Sequence, residues 1–376
     1  MQFKNKFFCY YFPQFYPIPE NDFHWGSGFT DWDNVKNSEP LFLGHRQPRV
    51  PLNGYYLQSD PSVVSHQCKL ASSYGVDGFC FYHYWFDGKL VLEKPAEAFL
   101  NQKDINMEFC FSWANETWSK RWVGDDNTII FKQTHNNDRD MWDKHFRYLF
   151  KFFSDERYLK VDGCPVFIIY NPHLIKNSAA MFDFWNCLIR EEGYPGIHFV
   201  YTKVSEVINE DSVSSYSSTL NFEPRFAYNS SANANKSFFS SRFFQPLRYL
   251  PESMLNYITK IRHALTRYEK VDYSSVWDVI LKNADPSAVF QGAFVGWDNT
   301  PRYKNRSKVY VDSTPDVFEC KFRTLIERTV SPSKQTIFFI NAWNEWSEGA
   351  YLEPDLDYGF KYLDIVKSLS IYANKG

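Results

Sequence analysis

The sequence predicts an α/β protein whose strands and helices alternate to form a (β/α)8 barrel. Eight short apolar runs recur along the chain, and helical patterns lie between most of them. The runs are continuously apolar rather than strictly alternating, which is typical of parallel strands covered on both faces. A chain of 376 residues is long enough for one such barrel with long loops. We therefore predict a single catalytic barrel over residues 1–376.

The predicted strands end, one after another, in polar or aromatic residues. In chain order they are Phe7–Phe12, Gly78–Tyr84, Met107–Trp113, Pro165–Tyr170, His198–Thr202, Thr219–Phe222, Ala288–Ala293 and Thr336–Ala342. Many of their residues are β-branched or aromatic, and such side chains pack well on a pleated surface.

The predicted helices lie between these strands. The clearest follows Asp60, a candidate cap, has Pro61 in its first turn and stops at Gly75. Further helices are predicted over 138–153, 178–193, 314–330 and 358–372. The stretch 224–287 is too long for a simple connection, so we predict an insertion between strands six and seven. Its part rich in Ser, Asn and Phe, 228–244, is typical of a mobile lid.

Charge and aromatic content narrow the class of partner. With 41 basic and 44 acidic residues the net charge is −3, which favours neither a nucleic-acid nor an acidic-membrane partner. Aromatic residues make up 19% of the chain, and many lie beside Asn, Asp, Glu and Gly. Such rings cover the apolar faces of sugars, so an oligosaccharide or polysaccharide is the first ligand to expect.

Cysteines and apolar segments indicate a cytoplasmic protein. The seven cysteines are scattered and show neither a disulfide framework nor zinc spacing. The N-terminal apolar run is too short for a signal peptide, is interrupted by Pro13, and precedes no small-residue cleavage site. No segment is long enough to span a membrane. The sequence gives no indication of the oligomeric state.

Residues suited to binding sugar cluster where the predicted strands end. In a barrel those ends share one cavity, the cup, where barrel enzymes keep their active sites. The candidate substrate-binding residues are Trp25, His83, Tyr84, Trp85, Trp113, Asn115, Glu116, Trp118, Tyr170, Glu223, Trp297, Asp298, Arg302, Asn344 and Trp346.

Two glutamates after the last strand, in "INAWNEWSEGAY" (340–351), are the candidate catalytic residues. Glu345 and Glu348 share one face if the strand breaks into a helical turn. Cleavage of a glycosidic bond typically uses two carboxyls in different environments, and the neighbouring indoles can raise one pKa by desolvation. The alternative is structural: one glutamate caps a helix or pairs with an arginine.

Structural alternatives also apply to the other charged candidates. Glu223 can pair with an arginine, Asp298 and Arg302 can form a salt-bridged loop, and His83 can be a satisfied core histidine. Acidic doublets such as Asp355 and Asp357 allow a metal-dependent glycosyltransferase instead. We nevertheless expect neither metal nor cofactor, because no phosphate loop or zinc signature occurs.

Six segments together resemble the WbsX-like proteins of bacterial O-antigen and capsule gene clusters. They are "YYFPQFYPIPEND", "GVDGFCFYHYWF", "FSWANETWSKRW", "DGCPVFIIYNP", "GWDNTPR" and "AWNEWSEGAYLEPD", and the resemblance runs from about residue 7 to 370. These proteins are similar in turn to family-99 glycoside hydrolases, the endo-α-mannosidases and endo-mannanases. That second likeness depends above all on the "WNEWxEG" motif.

The resemblance implies a barrel and an endo-acting, retaining hydrolase that forms a 1,2-anhydro sugar. It assigns Glu345 as the base for the 2-hydroxyl and Glu348 as the acid that protonates the leaving group. The expected substrate is a bacterial polysaccharide or its repeat unit. A glycosyltransferase of O-antigen or capsule synthesis is the alternative, and a non-catalytic carbohydrate-binding barrel is a third hypothesis.

Overall fold

The computed structural model describes residues 3–120, 125–136, 138–207, 209–231 and 268–375. Within these ranges the chain forms a (β/α)8 barrel, as predicted. The barrel strands are β1 Lys6–Tyr11, β2 Gly78–Phe86, β3 Glu108–Trp113, β4 Cys164–Ile169, β5 His198–Lys203, β6 Ser218–Asn221, β7 Phe290–Phe294 and β8 Ile337–Asn341. All eight predicted strands are confirmed.

The strands follow chain order around the barrel. The hydrogen-bonded sequence is β6–β5–β4–β3–β2–β1–β8–β7, and these neighbours are parallel. Strands β6 and β7 close the ring at Gly292. A Cβ added there would lie 2.1 Å from the carbonyl oxygen of Asn221, so this close approach requires glycine.

Helices and turns connect the strands. The helices are α1 Pro19–Trp25, α2 Asp31–Lys36, α3 Pro61–Ser73, α4 Lys94–Asn101, α5 Arg139–Phe153, α6 Ser178–Glu191, α7 Tyr273–Lys282, α8 Thr300–Tyr303, α9 Pro315–Thr329 and α10 Lys361–Ala373. At α3 the Asp60 side chain accepts the backbone N–H of Ser62 and Pro61 occupies the first turn, as the sequence predicts. The other four predicted helices are confirmed as α5, α6, α9 and α10.

Short strand pairs and 3-10 turns occur in the loops between the barrel strands and helices. The antiparallel pairs are Lys89–Val91 with β2, Trp118–Lys120 with Asp125–Phe131, Lys160–Val161 with β4, and Asn344–Glu345 with Ala350–Tyr351. Glu269–Asp272 pairs in parallel with Lys308–Val311. Single 3-10 turns occupy Pro172–Leu174, Glu210–Ser212, Lys304–Arg306 and Trp346–Glu348.

The predicted insertion lies partly outside the described residues. Its C-terminal part contains Glu269–Asp272 and all of α7, whereas residues 232–267 are not described. The predicted lid, 228–244, therefore lies largely beyond the described ranges. Among the described helices, each is too short or too polar to cross a bilayer.

Aromatic side chains pack on both faces of the sheet. On β1, Phe7 points outward to Phe322 of α9, with ring centroids 5.7 Å apart. Tyr10 points inward and stacks on Tyr82 of β2 at 5.4 Å. Burial on both faces explains why the strand sequences are continuously apolar.

Candidate active site

The two candidate glutamates lie in a tight turn after β8. Trp346–Glu348 form one 3-10 turn that ends at Gly349, whose φ is +60°. A Cβ at Gly349 would lie 2.8 Å from Asp298 Cβ, so only glycine lets this turn approach the loop after β7. The backbone N–H of Asp298 donates to the Glu348 carbonyl at 2.6 Å and fixes the two loops together.

A single guanidinium connects both glutamates to a third carboxylate. Arg302 lies in α8, and its Nη1 donates to Glu348 Oε1 at 2.6 Å. Its Nη2 lies 2.9 Å from Asp31 Oδ2 and 3.5 Å from Glu345 Oε2. We call these four residues the acid–base cluster. It holds three carboxylates and one arginine, so its formal charge is negative when all four are ionised.

Burial and crowding raise the pKa values of both glutamates. Desolvation is the main cause at Glu345, whose pKa is raised well above its usual range, and the charges of Glu348 and Asp31 add to it. Desolvation also raises the pKa of Glu348, while Arg302 opposes the rise. Two interacting carboxyls of this kind share a proton and titrate as a pair.

The contacts indicate which carboxyl holds the proton in the free protein. Glu348 makes the short hydrogen bond to Arg302 and keeps 22% of its side chain exposed, both of which favour its anion. Glu345 is 93% buried by the same measure and lies farther from the cation. These contacts favour the ionised form at Glu348 and the protonated form at Glu345.

Tyrosines line the barrel interior around this cluster. Tyr82 and Tyr84 alternate along β2 and face Glu345, whose charge, after burial, helps to raise the pKa of each phenol. Tyr170, just after β4, receives a hydrogen bond from Arg225. Burial raises the pKa of Tyr170 to about 12, with Arg225 opposing the rise.

Further charged side chains lie near Tyr170, at the end of the barrel where the strands end. The charges of Glu116 and Glu348 raise the pKa of Tyr170, in addition to the larger effects of its burial and of Arg225. They also raise the pKa of Arg225, on which Tyr170 itself has the largest effect. Asn171 Nδ2 donates to Glu116 Oε1 at 2.9 Å. Predicted residues Glu116, Tyr84 and Tyr170 thus share one region with the acid–base cluster. Trp118 joins them through an edge-to-face contact with Tyr84 at 4.7 Å.

Asp298 belongs to a second, structural cluster. One carboxylate oxygen accepts from His45 Nε2 at 2.8 Å and from Gln47 Nε2 at 2.7 Å. The other accepts from the Thr300 N–H at 3.1 Å and the Thr300 hydroxyl at 2.5 Å. The backbone N–H of Leu41 donates to His45 Nδ1, so the ring hydrogen is on Nε2 and points to the carboxylate.

These donors fix Asp298 as an anion. The hydrogen bonds outweigh its burial and lower its pKa to about 2. We call Asp298, His45, Gln47 and Thr300 the Asp298 cluster. Because both oxygens are occupied, the carboxylate holds the loop beside Glu348 and has no acceptor capacity that points to a sugar.

Three predicted sugar contacts lie on the outer face of the barrel. His83 accepts or donates to His145 of α5 through Nε2 atoms 2.8 Å apart. Trp85 stacks on the same imidazole at 4.6 Å, and Trp113 packs edge-on against it at 4.7 Å. Alternation along β2 points Tyr82 and Tyr84 inward and His83 and Trp85 outward. The structure therefore does not bring these three residues to the glutamates.

The structure does not place Trp346, a predicted sugar contact, on an open surface. Trp343 and Trp346 are fully buried. Trp346 stacks on Tyr351 at 3.8 Å and donates Nε1 to Glu353, a buried carboxyl whose pKa burial raises to about 7. Both rings therefore belong to the hydrophobic core rather than to an open surface of the cup.

Two predicted asparagines hydrogen-bond to backbone groups that follow neighbouring strands. Asn344 accepts the Phe12 N–H at 2.7 Å and donates to the Phe12 carbonyl at 2.9 Å. Asn115 makes the same double contact with the backbone of Asn171 at 2.7 and 2.8 Å. Both are buried, so they shape the cup without facing it.

The remaining predicted residues lie away from the cluster. Trp25 packs against Phe29 at 5.8 Å at the end of α1, and Trp297 is a half-buried residue packed on the core. Glu223 is buried and accepts the Ala227 N–H at 3.0 Å. Burial raises its pKa to about 8, so it is protonated at neutral pH.

Sequence reasoning missed Asp31, Tyr82 and Arg225. Period-two alternation from Tyr84 would have identified Tyr82. Asp31 follows Thr30, which forms a capping box with Asp33, so the sequence around it resembles an ordinary helix start. No local pattern distinguishes Arg225, because it follows β6 in the chain and meets Tyr170, which follows β4, only in the folded structure.

The alternative metal site at Asp355 is also occupied by protein donors. One oxygen accepts from the Tyr351 hydroxyl at 2.8 Å, and the other accepts the N–H groups of Asp357 and Tyr358 at 3.1 and 2.6 Å. Among the described residues, no group of three or more His, Cys, Asp or Glu side chains is arranged as a metal site.

Comparisons with known proteins agree with this fold. A family profile described as "Glycosyltransferase WbsX" matches residues 7–366. The uncharacterized protein WxcX of two Xanthomonas campestris pv. campestris strains is 33% and 32% identical over 366 residues. These alignments cover 96% of this chain and 48% of each relative, so the chain spans about half the length of the curated relatives it matches.

Solved glycoside hydrolase structures share the architecture. The GH99 endo-alpha-mannosidase from Bacteroides thetaiotaomicron superposes with a TM-score of 0.58 at 14% identity, covering 99% of this chain and 98% of that chain. A glycoside hydrolase-like protein gives a TM-score of 0.55 at 13% identity, covering 98% and 94%. At such identities the likeness shows the fold alone.

Proposed function

Because this chain belongs to the WbsX family, we propose that its cup acts on the glycosidic bonds of a bacterial polysaccharide or of its repeat unit. The proposed reaction is endo-acting, retaining cleavage of the kind performed by glycoside hydrolases. One observation carries this proposal: two buried glutamates with raised pKa values share one arginine in the region where barrel enzymes react. Carboxyls of shifted pKa in such a region are suited to general acid–base catalysis.

The proposed first step forms a 1,2-anhydro sugar. A carboxylate takes the proton of the sugar's 2-hydroxyl, and that oxygen attacks C1. The bond from C1 to the leaving oxygen breaks, and the leaving oxygen takes the proton of the second carboxyl. In the second step this carboxylate takes a proton from water, the water oxygen bonds to C1, and O2 recovers its proton as the three-membered ring opens.

The division of labour is a proposal in its own right. The family resemblance makes Glu345 the base and Glu348 the acid, whereas the contacts of the free protein favour a protonated Glu345. Both are consistent if the proton passes between the two carboxyls, through a hydroxyl of the substrate, when the sugar binds. The reversed assignment, with Glu345 as acid and Glu348 as base, needs no such transfer.

Leaving-group dependence distinguishes the two assignments. The variant that lacks the acid should recover on substrates with good leaving groups, because those oxygens need no proton. The variant that lacks the base should be inactive on all of them. Comparing Glu345→Gln and Glu348→Gln on aryl glycosides of graded leaving-group pKa would identify the acid, and recovery of both variants would exclude the pair mechanism.

The 2-hydroxyl provides a second test. A 2-deoxy substrate should not be cleaved by the intact protein, because the internal nucleophile is missing. Product analysis by NMR should show retained anomeric configuration. Efficient cleavage of the 2-deoxy sugar, or a covalent ester on Glu345, would replace this mechanism with direct nucleophilic displacement.

The description of the family favours a second candidate, a glycosyltransferase. The same cluster can serve transfer if a sugar hydroxyl replaces water in the second step. To compare the two, the protein is given a labelled sugar donor with and without an oligosaccharide acceptor. Release of free sugar in both mixtures supports hydrolysis, whereas elongation of the acceptor with little free sugar supports transfer.

A further inference from the structure

A basic cavity lies beside the Asp298 cluster and takes no part in the chemistry proposed above. Its volume is about 440 Å³, and it is bounded by the loop 42–49 and by residues 309–314. Arg46, Arg49 and Lys270 line it, against one carboxylate, Asp312. The lining therefore has a surplus of two positive charges.

The two exposed cations of this cavity are held by aromatic rings. Lys270 Nζ lies 3.7 Å from the ring centre of Phe42, and Arg46 lies 4.6 Å from that of Tyr358. Among the described residues, neither has a carboxylate within ion-pair distance. Ring contacts orient these cations but leave their hydrogen-bond donors available.

Arg49 links the cavity to the proposed active site. Its Nη1 donates to the Tyr351 hydroxyl at 3.2 Å, and its Nη2 lies 3.6 Å from Asp298 Oδ2. Its buried Nε has no hydrogen-bond acceptor among the described residues. The backbone N–H of Asp298 in turn donates to the Glu348 carbonyl. Asp298 therefore contacts both Arg49, which lines the cavity, and Glu348, which belongs to the acid–base cluster.

We propose that this cavity binds the diphosphate group of a sugar substrate. Guanidinium groups match phosphate oxygens in geometry, and a diphosphate diester carries two negative charges, as many as the two lining cations, Arg46 and Lys270, that have no carboxylate partner among the described residues. The volume exceeds that of a diphosphate and leaves room for an attached group. The diphosphate site itself does not depend on the proposed function. Only the statement that the diphosphate carries a sugar rests on it. Nucleoside diphosphates and lipid-linked diphosphates share the recognised chemistry.

Calorimetric binding of inorganic pyrophosphate tests the site without any turnover. The double variant Arg46→Gln/Lys270→Gln should bind pyrophosphate about tenfold more weakly than the intact chain, because two charged contacts are removed. Binding should also weaken as salt rises. The matched control Lys69→Gln/Arg147→Gln removes the same charge from exposed helix positions 67% and 58% accessible, and should bind as the intact chain does.

Further probes identify the source of the diphosphate. Tighter binding of uridine diphosphate than of pyrophosphate indicates a nucleotide donor, and tighter binding of farnesyl diphosphate indicates a lipid-linked one. Glutamate variant Glu348→Gln should bind pyrophosphate like the intact chain, so this site and the proposed reaction can fail separately. Binding without turnover supports the cavity alone; turnover without pyrophosphate binding overturns the cavity alone.

Three results would overturn the proposal. The first is equal pyrophosphate affinity in the intact chain and in the Arg46/Lys270 double variant. The second, which does not depend on a variant's folding, is a crystal structure soaked with pyrophosphate that shows no anion within 4 Å of the Arg46 or Arg49 guanidinium, the usual limit for an ion pair. Stronger binding of glucuronate than of pyrophosphate would also exclude a diphosphate site.

Discussion

The acid–base cluster and the Asp298 cluster are adjacent, yet they treat buried carboxyls in opposite ways. Asp298 and Arg302 are four residues apart on the loop after β7. Around Arg302, three carboxylates share one cation, and the pKa values of Glu345 and Glu348 are raised. Around Asp298, one carboxylate receives four hydrogen bonds, and its pKa falls to about 2.

The comparison shows that the ratio of donors to carboxylates, rather than burial alone, decides what a buried acid can do. Asp298 and Glu345 are both nearly inaccessible. Surplus donors fix the ionised form, which suits a structural role. A surplus of carboxylates leaves a proton to be exchanged, which suits acid–base chemistry.

Removing the shared cation should have the largest effect on activity. Arg302→Gln leaves three carboxylates without their arginine, so we expect kcat/KM to fall about 10²–10⁴-fold, as when a general acid–base group is lost. Arg302→Lys keeps the charge but not the fork geometry, and should recover only part of that loss. Steady-state kinetics on an aryl glycoside that the intact protein cleaves would measure both. A similar loss for Gln47→Ala, in the Asp298 cluster, would contradict the separation of the two clusters.

Removing the Asp298 charge should mainly reduce stability. Asp298→Asn disrupts a buried, hydrogen-bonded anion, for which we expect a loss of about 3–5 kcal/mol in the free energy of unfolding at pH 7. The pKa of about 2 is below that of the unfolded chain, ~3.9. The native anion therefore stabilises above pH ~3.9, and this contribution is lost as pH falls through about 2.

Denaturant unfolding at several pH values tests this second prediction. The gap between Asp298→Asn and the intact protein should narrow as pH falls toward 2. Asp104→Asn, at a side chain 67% exposed, should change stability by less than ~0.5 kcal/mol. A constant gap at all pH values would mean that packing, not charge, accounts for the loss.

Neutralising Glu345 should stabilise the fold. Its raised pKa means that the native state binds more protons than the unfolded chain between pH ~4.3 and that value, so stability falls as pH rises through this window. Glu345→Gln removes this loss and should raise the free energy of unfolding at pH 8, with little change at pH 4. Thermal unfolding would measure it, and a destabilised variant at pH 8 would contradict it.

Removing Asp31 should shift the pH profile modestly. Its charge raises the pKa values of both glutamates, so Asp31→Asn should lower them. The basic limb of kcat/KM, where the acid loses its proton, should move down by about one pH unit. An unmoved limb with a lower kcat would assign Asp31 a purely structural role.

Changes on the outer face should have the smallest effect on catalysis. His83→Gln and Trp85→Phe alter residues that contact α5 rather than the cup. We expect KM to change by less than about twofold because neither side chain faces the cup, while the unfolding midpoint falls because both are buried. Tyr82→Phe and Tyr84→Phe, on the inner face of the same strand, are the matched comparison. A larger KM effect from His83 than from Tyr84 would restore the sequence-based expectation.

The sequence predicted elements better than it predicted faces. Continuous apolar runs identified all eight strands, and capping residues such as Asp60 identified helices. The same runs conceal orientation, because a strand buried on both sides shows no polar–apolar alternation. That is why the sequence did not separate Tyr84, which faces Glu345, from His83 and Trp85, its neighbours on β2, which point to α5.

The sequence by itself determined the barrel, the family and the position of two glutamates at the end of β8. Only the tertiary structure decided what surrounds them. Asp31, Arg302 and Glu345 are separated by about 271 and 43 positions in the chain, and they meet because the ends of parallel strands converge at one rim. Local sequence encodes secondary structure through short-range contacts, but a pKa depends on charges and burial contributed by distant segments.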